Sequence, residues 1–191
     1  MLDSKLDLLI RNSTVLENAK SSFGMGTFKR CNALNLTLRN IEADIDKINE
    51  LINCIDYSKY NLIVKPHPLS NIKIKDERVI CDKYFSSIDM ITMGDYVITD
   101  YSAIVFEASI LEKPLFFYCY DYDKYYRRRN FYINYKEEMP GIITDDAKEI
   151  VNSIENNQFD LDRVEGFRDK YIELNEGKCT SNLVDFIFKF M

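Results

Sequence analysis

Short apolar runs, each the length of a buried strand, recur between Ala33 and Tyr118, and the segments between them are patterned as helices. The runs fall at Ala33–Leu38, Tyr60–Lys65, Arg78–Cys81, Tyr96–Thr99 and Pro114–Tyr118. Asp44–Ile55 carries Ile45, Ile48, Leu51, Ile52 and Ile55 at helical spacing, and Ser87–Met93 and Ser102–Leu111 read as further helices. Strand and helix in alternation predict an α/β fold, a Rossmann-like doubly wound parallel sheet whose ligands gather at the carboxyl ends of the strands. Upstream, Asp7–Ile10 reads as a short strand and Ser13 caps a helix that stops near Gly24, with Gly24 and Gly26 marking a break. Downstream, Tyr120–Gly141 reads as a polar and aromatic loop long enough to fold over a ligand. Helices are expected near Asp145–Glu155, Leu161–Leu174 and Thr180–Lys189, the last one amphipathic and expected to dock on the core.

The 191 residues suit one domain with a sizeable core. No apolar run approaches the length of a membrane span, and the first residues do not pattern as a signal peptide, so a cytoplasmic location is expected. Five scattered cysteines, Cys31, Cys54, Cys81, Cys119 and Cys179, fit neither a disulfide framework nor a metal knuckle. A net charge of −6 disfavours a general nucleic-acid binder, because phosphate neutralisation needs a basic surface. Any phosphate site must therefore be local.

Two strand ends carry groups suited to an anion. His67, the one histidine in the chain, stands between Pro66 and Pro68, which stop the strand and fix its backbone, so its imidazole is a fixed hydrogen-bond donor. Asp100-Tyr101-Ser102 links the strand at Tyr96–Thr99 to the next helix, where the Ser102 hydroxyl and the first amides can meet a phosphate. The plainer alternatives are an unliganded turn histidine and an ordinary helix cap by Asp100 or Ser102. Glu107 lies one turn into that helix among Phe106, Ala108 and Ile110, an apolar setting in which a carboxylate needs a partner; ribose hydroxyls would supply one, and the alternatives are a neighbouring lysine or a side chain that faces solvent. The aromatic and basic stretch through Arg127-Arg128-Arg129 can grip a base and phosphates, or be a solvated charged loop.

These residues, in order, resemble the bacterial CDP-glycerol glycerophosphotransferases, the teichoic-acid primases and polymerases. Lys65-Pro66-His67-Pro68 resembles the family's K-x-H-P segment, and Ile98-Thr99-Asp100-Tyr101-Ser102-Ala103-Ile104-Val105-Phe106-Glu107 its I-T-D-Y-S-S-x-x-F-[DE] segment. Arg129-Asn130-Phe131-Tyr132 and Met139-Pro140-Gly141 resemble its R-G-F-Y and P-G elements. The resemblance runs from about Asn61 to Gly141 and continues weakly to Glu176–Ser181. Ala103 departs from the second serine of D-Y-S-S, Asn130 from the glycine of R-G-F-Y, and Leu36 from the proline of a P-T-x-R element matched by Thr37-Leu38-Arg39.

The resemblance implies the carboxyl-terminal half of a GT-B glycosyltransferase, with His67 catalytic. Lys65, His67, Asp100, Ser102, Ala103, Glu107 and Arg129 would bind donor, with His67 and Ser102 on its pyrophosphate and Glu107 near the ribose. The chain 1–191 would be a single nucleotide-donor-binding domain, residues 1–24 being the one stretch able to represent an otherwise missing acceptor domain. The implied reaction transfers glycerol phosphate from CDP-glycerol to a teichoic-acid-like acceptor and releases CMP. No resident cofactor or metal ligand set is assigned, and magnesium would arrive with the diphosphate. The implied partners are a CDP-polyol donor, the polymer acceptor, and an acceptor-domain chain or second copy, at the inner face of the cell membrane; nucleic acid is not among them. The alternatives are another CMP-leaving enzyme of the sialyltransferase or capsule-polymerase type, and a non-catalytic binding remnant.

Overall fold

The computed structural model describes residues 32–37, 45–66, 72–81, 86–172 and 178–189. The expected strand and helix before Gly26, as well as Arg39, His67, Pro68, Glu176 and Gly177, lie outside the described residues.

In chain order the elements are β1 (Asn32–Thr37), α1 (Ile45–Cys54), β2 (Tyr60–Lys65), β3 (Val79–Ile80), α2 (Ser87–Met93), β4 (Tyr96–Thr99), α3 (Ile104–Ile110) and β5 (Leu115–Tyr118). They continue with α4 (Tyr122–Arg129), α5 (Tyr135–Glu138), β6 (Ile142–Thr144), α6 (Ala147–Glu155), α7 (Leu161–Tyr171) and α8 (Cys179–Lys189). The six strands form one parallel sheet in the order β3-β2-β1-β4-β5-β6. Winding therefore reverses between β1 and β4, which makes their carboxyl ends the topological switch point where ligands of such sheets sit. Register places Lys65 and Thr99 on either side of Thr37, so the ends of β2, β1 and β4 are level.

Side-chain alternation along the strands builds two cores. Leu34, Leu36, Ile98 and Phe116 face α1 and α6, whose Ile48, Leu51, Ile52, Ile150 and Ile154 close over them. Val97, Leu115 and Phe117 face the opposite way, against α3, Val164 and Phe167 of α7, and the Tyr135 and Met139 side chains. Ala33, Ile63 and Met90 extend that second layer under α2. Side-chain caps start three of the covering helices, α2, α6 and α7. Ser86 and Asp89 form a capping box on α2, Asp146 accepts from the Lys148 amide, and Asp160 from the Asp162 and Arg163 amides. At Gly141 a Cβ would lie 1.9 Å from the Leu115 carbonyl oxygen, so only glycine lets the chain enter β6 against the start of β5.

Two expectations are corrected and one strand is added. The stretch Tyr120–Gly141 is no loop: it holds α4 and α5, which are helical because their aromatic rings pack on the sheet edge rather than because of any apolar period. β6, three half-buried residues long, has no strand signature of its own and forms by pairing with β5. The terminal helix α8 is not buried on the core: Leu183, Val184, Phe186, Ile187 and Phe188 are exposed and none of its described residues is buried. Among the described residues no helix is long and apolar enough to cross a membrane.

Candidate functional site at the switch point

The carboxyl ends of β1 and β4 are joined by a side-chain hydrogen-bond relay. The Thr99 hydroxyl donates to the Thr37 carbonyl oxygen at 2.9 Å, and the Thr37 hydroxyl donates to Asn35 Oδ1 at 3.1 Å. Asn35 is fully buried in the middle of β1, yet its Nδ2 has no hydrogen-bond partner among the described residues. Such an orphan donor costs stability and is rare in a core.

Beyond Thr99 the chain turns at Asp100 (3% exposed), and Tyr101 tucks its ring beneath the turn. Ser102 is half-buried, and its Oγ accepts from the Ile104 amide at 3.3 Å; Ala103 is exposed and starts α3 with no side-chain cap. Neither Asp100 nor Ser102 is thus the helix cap position. Glu107 faces inward from the first turn of α3, and its Oε2 is buried without a partner. The expected apolar setting is real, and no neighbouring lysine pairs with that oxygen in the described residues. Lys65 ends β2 half-buried at the same level and carries the chain through Pro66 toward His67.

Arg129 is exposed in the last turn of α4, beside Arg127 and Arg128. The helix reaches the Asp100–Ser102 turn through its rings: Tyr125 stacks on Tyr101 at 3.9 Å between centroids, and the Tyr101 hydroxyl donates to Asp121 Oδ1 at 3.0 Å, one residue before α4. Asn130, just after Arg129, has φ 58°, a backbone region that favours glycine, and its own Oδ1 accepts from the Phe131 amide at 2.8 Å. That geometry explains why the resembling motif has glycine there and how asparagine substitutes for it.

Under the turn, the Tyr135 hydroxyl donates to the Asp100 carbonyl oxygen at 2.8 Å and lies 3.6 Å from Cys119 Sγ. Because the single hydroxyl proton goes to Asp100, the thiol is the donor in the second contact. Burial pushes the Cys119 thiol up to about 12 and both tyrosine hydroxyls far above their ordinary range, so all three stay protonated donors at any physiological pH. Next to this network an open cavity of about 570 Å³ lies at the ends of β5 and β6, lined among others by Tyr120, Asp121, Lys124, Arg127, Lys136 and Asp145. Among the described residues no group of three His, Cys, Asp or Glu side chains is placed to hold a metal ion.

The structure thus brings Lys65, Asp100, Ser102, Ala103 and Glu107 to one sheet edge and ties α4, which bears Arg129, to it through Tyr101. Sequence reasoning missed Asn35, Thr37 and Thr99 as a relay, and Tyr135 and Asp121 as anchors. For the first three the signal was there, as polar residues inside and at the ends of apolar strands.

A family model described as CDP-glycerol:poly(glycerophosphate) glycerophosphotransferase matches residues 25–189. The teichoic acid ribitol-phosphate primase of Bacillus spizizenii is 31% identical over 147 residues, 74% of this chain and 38% of the relative. The teichoic acid glycerol-phosphate primase of Bacillus subtilis is 34% identical over 133 residues, 68% of this chain and 35% of the relative. Among solved structures, a variant of the wall teichoic acid polymerase TagF superposes with a TM-score of 0.70 at 22% identity, covering 93% of this chain and 47% of that one. The glycosyltransferase SnogD from Streptomyces nogalater superposes with a TM-score of 0.59 at 11% identity, covering 83% of this chain and 44% of that one; the likeness is one of fold. The chain spans under half the length of these proteins. With the family model covering most of it, the chain belongs to the CDP-glycerol:poly(glycerophosphate) glycerophosphotransferase family.

Proposed function

We propose that this chain is the donor-binding part of a transferase that moves a polyol phosphate, glycerol phosphate first among candidates, from its CDP-activated form to an acceptor hydroxyl of a teichoic-acid-like polymer. The observation that carries the reading is Glu107. A carboxylate oxygen buried without a partner, on the helix that follows the Asp100–Ser102 turn, is an acceptor waiting for a hydroxyl, and ribose hydroxyls are the donors a nucleotide brings. The Ser102 hydroxyl and His67 bind the diphosphate, Lys65 and Arg129 add positive charge, and Asp100 and Ala103 shape the turn. The polyol end runs toward the β5–β6 cavity, where carboxylates suit hydroxyls and the lysine and arginine side chains suit phosphate.

In the reaction an acceptor oxygen attacks the phosphorus that carries the polyol. The new P–O bond forms as the P–O bond to CMP breaks, the acceptor proton passes to a base, and the electron pair leaves with CMP. This chain's residues contribute by positioning the diphosphate and by stabilising the leaving CMP through hydrogen bonds. Work at the cytoplasmic face of the membrane, beside a partner that supplies the acceptor site, belongs to the same proposal.

Calorimetric titration with CDP-glycerol, CDP-ribitol, CMP and a UDP-sugar tests it. The expected result is binding of the cytidine ligands only, at least tenfold weaker in His67→Ala, about 1.4 kcal/mol. A chain that binds no cytidine nucleotide overturns the proposal.

A further inference from the structure

We propose that Tyr135 is a positioning residue for the donor turn: its hydroxyl holds the Asp100 carbonyl and thereby sets where Ser102 and Glu107 meet the nucleotide. The inference rests on the donor-site reading above and goes beyond it, because Tyr135 lies 35 residues downstream of Asp100, on a different element, and belongs to none of the motifs that carry the family resemblance.

The first carbonyl of the turn points into the core, where a backbone acceptor left unbonded costs free energy, and the hydroxyl of Tyr135, itself 5% exposed, satisfies it. Tyr135 cannot swing away: its ring stacks on Phe131 at 4.6 Å, meets Phe117 edge-on at 5.9 Å, and receives the Cys119 thiol at its oxygen. The chain of donors Cys119 to Tyr135 to Asp100 therefore runs from the end of β5 to the end of β4, beneath the turn, and fixes the two strand ends relative to each other. The same ring lies 5.6 Å from Tyr101, which is stacked on α4, so the Arg129-bearing helix rests on the same platform.

An internal control separates positioning from mere packing. On the opposite face of the sheet the Tyr118 hydroxyl donates to the Lys47 carbonyl oxygen at 3.1 Å, a tyrosine-to-backbone bond of the same kind that touches α1 and not the turn. Tyr135→Phe and Tyr118→Phe each delete one buried hydroxyl and keep the ring.

The expected result is that both variants lose similar thermal stability, but only Tyr135→Phe weakens CDP-glycerol binding, about tenfold by calorimetry. Read without ligand, amide hydrogen exchange across 100–107 speeds up in Tyr135→Phe and stays at the wild-type rate in Tyr118→Phe. Wild-type binding that Tyr135→Phe leaves unchanged, or that Tyr118→Phe weakens equally, overturns the positioning role alone. A wild-type chain that binds no CDP-glycerol overturns instead the donor-site reading on which the role depends.

Discussion

The two faces of the sheet are built to different rules. The face under α1 and α6 is an apolar core of aliphatic side chains with Phe116 and the ring of Tyr118. The face under α2, α3 and α7 buries Asn35 and Thr37 of β1, Thr99 of β4 and Ser109 of α3, and its edge buries Asp100. Ser153 on α6 is the exception on the plain face. Among the described residues, the buried side-chain atoms that lack a partner, Asn35 Nδ2 and Glu107 Oε2, belong to the polar face. The plain face supplies stability, while the polar one gives some of it up to hold acceptors and donors ready beside the switch point.

That division can be broken by substitution. Phe116→Ala, fully buried on the plain face, is expected to lower unfolding free energy by about 3–5 kcal/mol in urea titrations. The variant should nonetheless bind CDP-glycerol with wild-type affinity in its folded fraction; a matching loss of affinity would mean that the faces are not separate. Glu107→Ala should show the reverse. Removing a carboxylate whose buried oxygen has no partner should change stability by no more than about 1 kcal/mol, and in either direction, because desolvation relief offsets lost packing. Donor affinity should fall about tenfold, read by the same calorimetry.

The smallest effect lies away from both faces, on the exposed pair that precedes β3. The Arg78 guanidinium donates to Asp76 at 2.9 Å and holds its carboxyl at about 2. With the folded value depressed, the pair's contribution is present above the ordinary carboxylate range and is lost as pH falls through about 2. Arg78→Gln should return the Asp76 titration, followed by carboxyl NMR, toward the ordinary carboxylate value of 3.8, with donor affinity untouched.

Most strands and covering helices were legible because their apolar periods differ: runs such as Leu62-Ile63-Val64 against the spaced Ile48, Leu51 and Ile52. α4 and α5 were not, since Tyr122, Tyr125 and Tyr135 pack around the rings of Tyr101 and Phe131 rather than along one helical stripe. β6 escaped because pairing with β5, and not its own three side chains, makes it a strand. Of the site, Asp100, Ser102 and Glu107 could be picked out because they interrupt apolar sequence next to a strand end. Asn35 sits in the same kind of interruption inside β1, but whether a polar residue in a strand faces a core or a solvent layer depends on what covers it. Tyr135 carried no local mark at all, as its partner is a backbone oxygen on another element. For α8, amphipathic spacing predicts a face to bury but not what buries it.

The order β3-β2-β1-β4-β5-β6 also has a consequence in time. The Thr99–Thr37 bond joins residues 62 positions apart, so the switch point is a long-range contact that forms late. During synthesis β1 and β2 emerge and can pair first, leaving one edge of β1 open until Tyr96–Thr99 has been made. For that interval the strand destined for the centre of the sheet is an exposed template for a neighbouring chain. The docking of β4 both closes that edge and creates the switch point at which the donor site is proposed.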